Sequence, residues 1–125
     1  MSTDDRKAIE QTVQTYLDAL YEGDVDKLTA VFHDTSALTY VQDGKLTVWP
    51  RDEWLKAMRE RGSPKSKGLV RDDAILLVDQ SGPDTAFVKV KCQIPPRYFT
   101  DYLNLVKVDG RWVVAQKVFA TVVKP

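Results

Sequence analysis

A single cysteine and a single histidine in 125 residues remove several chemistries at once. One Cys cannot close an internal disulfide, which fits a reducing cytoplasm. One His and one Cys cannot supply a zinc ligand set, so no metal site is expected. A surplus of either charge is missing too: 18 Lys plus Arg stand against 18 Asp plus Glu. A general nucleic-acid binder needs a basic surplus to replace counterions, so nucleic acid is not an expected partner. No apolar run approaches the length of a membrane span. The acidic, polar opening Met1-Ser-Thr-Asp-Asp-Arg-Lys7 has no apolar stretch behind it, so no signal peptide is expected either. Repeats, low-complexity tracts and linkers are equally absent, and residues 1–125 read as one domain.

What is present is ordinary globular composition, 43% hydrophobic and 29% charged, arranged in clear periods. From about Asp4 to Glu22, Ile9, Val13, Tyr16, Leu17, Leu20 and Tyr21 fall on one helical face, with Asp4 and Asp5 at the positive end of the dipole. Gly23 ends that helix and Asp24 caps a short second one, about Val25 to His33, with Leu28, Val31 and Phe32 inward. Ser36 to Val41 and Lys45 to Trp49 read as strands around the turn Asp43-Gly44. Pro50 opens a third helix, Arg51 to Arg61, with Trp54, Leu55 and Met58 inward and Gly62 as its stop. Ser63 to Gly68 is a polar loop expected to be the most mobile segment. Strands follow at Leu69 to Gln80 and Thr85 to Ile94. Three helices ahead of a long antiparallel run define an α+β domain, with the helices packed on one face of a curved sheet.

The closing stretch, Phe99 to Phe119, carries the most information. Apolar residues alternate on both sides of Val108-Asp109-Gly110, which marks two half-buried strands folded back on each other. Two charges interrupt the apolar pattern, Asp101 on the incoming strand and Lys117 on the outgoing one. Isolated charges in such strands are costly unless they are paired or face a wet cavity. Cys92, within Phe87-Val-Lys-Val-Lys-Cys92, reads as a buried inert thiol rather than a nucleophile.

Tyr16-Leu-Asp-Ala-Leu-Tyr-Glu-Gly-Asp24, Val31-Phe-His33, Phe99-Thr-Asp-Tyr-Leu-Asn-Leu105, Asp109-Gly-Arg-Trp112 and Gln116-Lys-Val-Phe119 together resemble the nuclear-transport-factor-2-like superfamily. Within it the chain is most similar to the putative lumazine-binding family. The resemblance spans essentially the whole chain. It implies a cone of strongly bent antiparallel sheet whose concave face is closed by three N-terminal helices. It also implies a homodimer built on the outer sheet face; an interaction role through that face assumes that Trp112, Val114 and Val118 turn outward. Ketosteroid isomerases share that fold and place a phenol where Tyr16 stands, eight residues before Asp24. They place an acid near the position of Asp101. Their catalytic base, however, falls where this chain offers Thr39, Tyr40 and Val41, none of which abstracts a carbon-bound proton at neutral pH. Their strand acid is also kept protonated by an apolar site. An ammonium such as Lys117 works the other way, so steroid isomerase chemistry is disfavoured.

Whether Asp101 and Lys117 meet depends on hairpin register. A three-residue loop, Val108 to Gly110, makes them cross-strand neighbours on one face; a two-residue Asp109-Gly110 loop separates them onto opposite faces. The resemblance favours the longer loop, because it implies that Ala115, Lys117 and Phe119 line the cavity. In that register Tyr16, Trp54, Asp101, Leu103, Ala115, Lys117 and Phe119 form the expected ligand-binding set, a mostly apolar cavity with a few converging polar groups. A small, planar or aromatic molecule is the expected ligand, with no cofactor.

Two other functions compete with that reading. One is a cofactor-independent dehydratase, cyclase or isomerase using Asp101 as acid or base, with Lys117 and Tyr16. The other is an interaction dimer without a ligand. Each residue also has a structural explanation: Asp101 and Lys117 as a pair fixing register, Tyr16 as a core aromatic, and His33 as a cation at a helix C-terminus.

Overall fold

The computed structural model describes residues 3–125. Three helices and six strands follow one another as α1 (Thr3–Glu22), α2 (Val25–Val31), β1 (Ala37–Gln42), β2 (Lys45–Pro50), α3 (Arg51–Arg61), β3 (Ala74–Ser81), β4 (Thr85–Ile94), β5 (Arg97–Val108) and β6 (Arg111–Val123). The strands form one curved sheet in the order β2-β1-β6-β5-β4-β3. Every pairing is antiparallel except β1 with β6, where Leu38 meets Lys117 and Thr39 meets Val118 in parallel. A parallel pair needs a long crossover, and here the chain between β1 and β6 supplies it, so the first strand lies directly beside the last.

The helical stripes form the core expected of them. Ile9, Val13, Tyr16 and Leu17 of α1, Leu28 of α2, and Trp54 and Leu55 of α3 are buried against Leu38, Val88, Val90 and Leu103 from the sheet. The Asp24 carboxylate accepts from the Lys27 amide at 3.1 Å and caps α2. Asp5 takes hydrogen bonds from Gln80 and Lys107, tying the start of α1 to β3 and β5. The dipole role expected of the Asp4 side chain lies outside the described residues.

Two expectations need correcting. Strand structure begins at Ala74 rather than Leu69. The loop Ser63 to Gly68 is tethered at several points: Lys65 N–H donates to Tyr21 C=O at 3.0 Å, Leu69 N–H to Pro64 C=O at 3.0 Å, and Ser66 N–H to Ser63 Oγ at 3.0 Å. Pro64 is buried beneath it.

The second correction concerns the closing hairpin, which turns on two residues, not three. Asp109 (φ 51°) and Gly110 (φ 77°) both occupy the left-handed region, and Val108 pairs with Arg111. This is the primed two-residue turn that matches strand twist. On its own it sends Asp101 and Lys117 to opposite faces. A β-bulge restores them: Leu105 pairs with Val114, yet Asn104 pairs with Gln116, leaving Ala115 without a cross-strand partner. One extra residue reverses which side chains face inward. Before the bulge, Trp112 and Val114 are buried, not outward-facing as expected; after it, Lys117 is buried and Val118 is 43% exposed. Leu103 pairs with Lys117 and Asp101 with Phe119, so the two charges are diagonal neighbours on the concave face.

Candidate functional site

A cavity of about 610 Å³ opens on the concave side. Its depth is set by two elements that climb together from floor to mouth. On α3, Trp54, Met58 and Arg61 share one face because they lie four and three residues apart. On β5, Phe99 and Arg97 continue the inward series that starts with Leu103 and Asp101. Trp54, Met58, Arg61, Phe99 and Arg97 all line the cavity.

Lys117 is the deepest cation of the wall. Its side chain is 8% exposed, and its Nζ lies 3.6 Å from Asp101 Oδ2. Three rings surround the ammonium, with centroids 5.1 Å away for Tyr16, 5.0 Å for Trp54 and 4.9 Å for Phe119. Facing several ring quadrupoles stabilises a desolvated cation and fixes its position. Phe119 is itself held between Tyr40 and Phe99, at centroid distances of 4.8 and 5.9 Å.

Behind Lys117 lies a small polar cluster. The Tyr16 hydroxyl donates to Asp101 Oδ2, and the Cys92 thiol lies 3.6 Å from the same oxygen. Asp101 is fully buried, and its Oδ1 has no hydrogen-bond partner among the described residues. Burial and the adjacent carboxylate push the Tyr16 phenol well above its ordinary pKa. The same two causes raise the Cys92 thiol far beyond the neutral range, so neither group is anionic at neutral pH.

The expected set is therefore split by depth. Trp54, Lys117 and Phe119 line the cavity, whereas Tyr16, Asp101 and Leu103 are buried and do not. Ala115 occupies the bulge, half-buried and away from the cavity. Residues that sequence reasoning missed include Tyr40, Cys92, Phe99 and the mouth basics Arg61 and Arg97. Strand alternation from Asp101 would have found Phe99 and Arg97, and helical spacing from Trp54 would have found Arg61.

The lining is basic in a chain of zero net charge. Among the lining residues, the basic Arg61, Lys67, Arg71, Arg97 and Lys117 outnumber the acidic Asp43 and Asp73. Arg71 is already occupied, at 2.8 Å from Asp73 and 2.6 Å from Asp18. Its guanidinium in turn holds the Asp18 carboxyl below its ordinary pKa. Among the described residues no cluster of His, Cys, Asp and Glu is arranged to hold a metal, and no helix is long and apolar enough to cross a membrane.

A bent open sheet with three helices packed on its concave face is the architecture of a nuclear-transport-factor-2-like protein. The chain belongs to the family described as putative lumazine-binding, which matches residues 4–120. Among curated proteins it is similar to Aldolase FrzH of Cladobotryum sp, at 26% identity over 90% of this chain and 87% of that one. Among solved structures it resembles an NTF2-like protein of unknown function from Shewanella baltica OS155, with TM-score 0.86, 24% identity and coverage of 99% and 98%. An NTF-2-like protein of unknown function from Silicibacter pomeroyi DSS-3 is comparable, with TM-score 0.84, 24% identity and coverage of 98% and 100%.

Proposed function

We propose that this chain is a small-molecule-binding protein whose cone takes a planar aromatic ligand bearing a hydrogen-bond acceptor. The observation that carries this reading is Lys117, a buried ammonium ringed by three aromatic side chains in the wall of a largely apolar hollow and backed by Asp101. Apolar walls supply area, while one well-placed polar group selects orientation. A flat fused heterocycle with carbonyl acceptors, the kind of molecule the family's description names, suits both. Trp49 and Trp54 line the cavity and provide the signal. Titrating pteridines, flavins and small aromatic acids is expected to quench tryptophan fluorescence and raise the melting temperature, with Lys117→Met losing the response. Silence across that panel overturns the reading.

A second reading is favoured by the similarity to Aldolase FrzH and by the buried chain from Tyr16 through Asp101 to Lys117. In it the protein is a cofactor-independent lyase or isomerase. Lys117 polarises a carbonyl in the cavity and passes protons between it and Asp101, the acid or base buried behind the ammonium and outside the cavity lining, while Tyr16 holds Asp101 in place. A fluorogenic retro-aldol substrate, a β-hydroxyketone that releases a naphthaldehyde, tests it. Turnover by the parent protein that Asp101→Asn abolishes while keeping the fold supports it, and equal rates for the two proteins remove it.

The homodimer belongs to the same proposal. Tyr102, Val118 and Val122 are exposed on the convex side of β5 and β6, where a second copy would cover them. Light scattering is expected to give a two-chain particle, and Val118→Asp a one-chain particle.

A further inference from the structure

The mouth of the cone carries charge that the floor does not use. Arg61 stands seven residues after Trp54 on the same face of α3, about 10 Å further along the helix axis. Arg97 stands four residues before Asp101 on the same face of β5, about 13 Å along the strand. Both residues line the same cavity, and both are exposed. Neither has a carboxylate partner among the described residues. Among the described residues, Arg61 Nη2 donates to Met58 Sδ at 3.0 Å, and the Arg97 side chain has no hydrogen bond or ion pair. This contrasts with Arg71, which two aspartates neutralise. Partial burial, and then the charge of Arg97, lower the Arg61 guanidinium from its ordinary pKa. Like charges gathered without a counter-ion at a cavity rim favour an anionic visitor.

We infer that Arg61 and Arg97 form a carboxylate subsite at the mouth, so that the ligand is elongated, with an acceptor group at Lys117 and a carboxylate at the two guanidiniums. The inference rests on the binding reading above and adds the ligand's charge and length. A guanidinium matches a carboxylate with paired, charge-assisted hydrogen bonds. Trp54 and Phe99 flank the path between floor and mouth, so the body joining the two ends is aromatic. A single small ring is too short to bridge about 10 Å, whereas two fused rings with a group at each end come close.

The probes are a hydroxynaphthoate, with hydroxyl and carboxylate at opposite ends of the fused rings, and naphthol, which lacks the carboxylate. Calorimetric titration of the full chain is expected to show the hydroxynaphthoate binding about tenfold more tightly, the equivalent of one charge-assisted contact. In Arg61→Gln/Arg97→Gln that advantage disappears while naphthol affinity is unchanged. In the parent protein, added salt is expected to weaken the hydroxynaphthoate selectively, a readout that needs no variant to fold. An advantage that survives both the double substitution and high salt overturns the subsite. Equal affinities of the two probes for the parent protein also overturn it, yet leave the cone as a binding site. If neither probe binds, the subsite and the binding reading fall together.

Discussion

Replacing either member of the Asp101–Lys117 pair is expected to destabilise the protein, and by unequal amounts. Removing one partner of a buried ion pair typically costs about 3–5 kcal/mol, because the other charge is stranded. The stranded groups differ here. Asp101→Asn leaves an ammonium that still faces three rings about 5 Å away, and such contacts return about 2 kcal/mol when desolvated. Its net cost is therefore about 2 kcal/mol. Lys117→Met keeps the stem's volume but strands a fully buried carboxylate. That carboxylate retains only the Tyr16 hydroxyl and the Cys92 thiol, both on Oδ2, while Oδ1 has no partner among the described residues. The full cost of about 3–5 kcal/mol applies. The double variant carries no stranded charge and is expected to be more stable than the sum of the single losses implies, with a coupling of at least about 1 kcal/mol. Urea unfolding of all four proteins at neutral pH, with transition slopes checked for constancy, measures each term. Equal single costs, or losses that simply add, refute the account of a ring-caged cation set against a poorly solvated carboxylate.

Three further outcomes follow from the same geometry. Because the Tyr16 phenol is raised above its ordinary pKa, the unfolded chain ionises near pH 10 while the native chain does not. Stability is thus fully present below that pH and lost as pH climbs towards the folded value. Alkaline unfolding curves are expected to steepen above about pH 10, and Tyr16→Phe to flatten them; an unchanged slope in Tyr16→Phe contradicts this. Cys92 lines the cavity, yet its thiol is held protonated by burial and by Asp101. Iodoacetamide is expected to label it only after unfolding, and prompt labelling of native protein at neutral pH contradicts the assignment. Gly110 and Gly23 both have positive φ, at 77° and 72°. A Cβ on Gly110 meets nothing within 4 Å, whereas one on Gly23 would lie 2.6 Å from Ser63 Cβ. Gly110→Ala is expected to cost about 1 kcal/mol from backbone conformation alone. Gly23→Ala adds a steric term on top, so thermal melts that rank the two equally count against the described packing.

The amino-acid sequence by itself determined the element order, the inward faces of the helices and the presence of two misplaced charges near the end of the chain. Each is local. The spacing of Ile9, Val13, Tyr16 and Leu17 marks a helical stripe wherever the helix docks. Asp109-Gly110 marks a turn because few other residue pairs adopt two successive left-handed conformations. Tertiary structure decided how Asp101 and Lys117 come to share a face. The run Trp112-Val-Val-Ala115 is apolar throughout, so alternation does not say which members point inward, and nothing in it marks a bulge. Closing a bent sheet over α1 does decide it: Trp112 and Val114 go to the core, and the extra residue at Ala115 turns Lys117 in after them. The side-chain period of a strand is two, so one unpaired residue reverses every position beyond it. Depth was likewise invisible in the chain. Only the packed helices separate the buried Tyr16 and Asp101 from the Lys117, Arg61 and Arg97 that line the cavity.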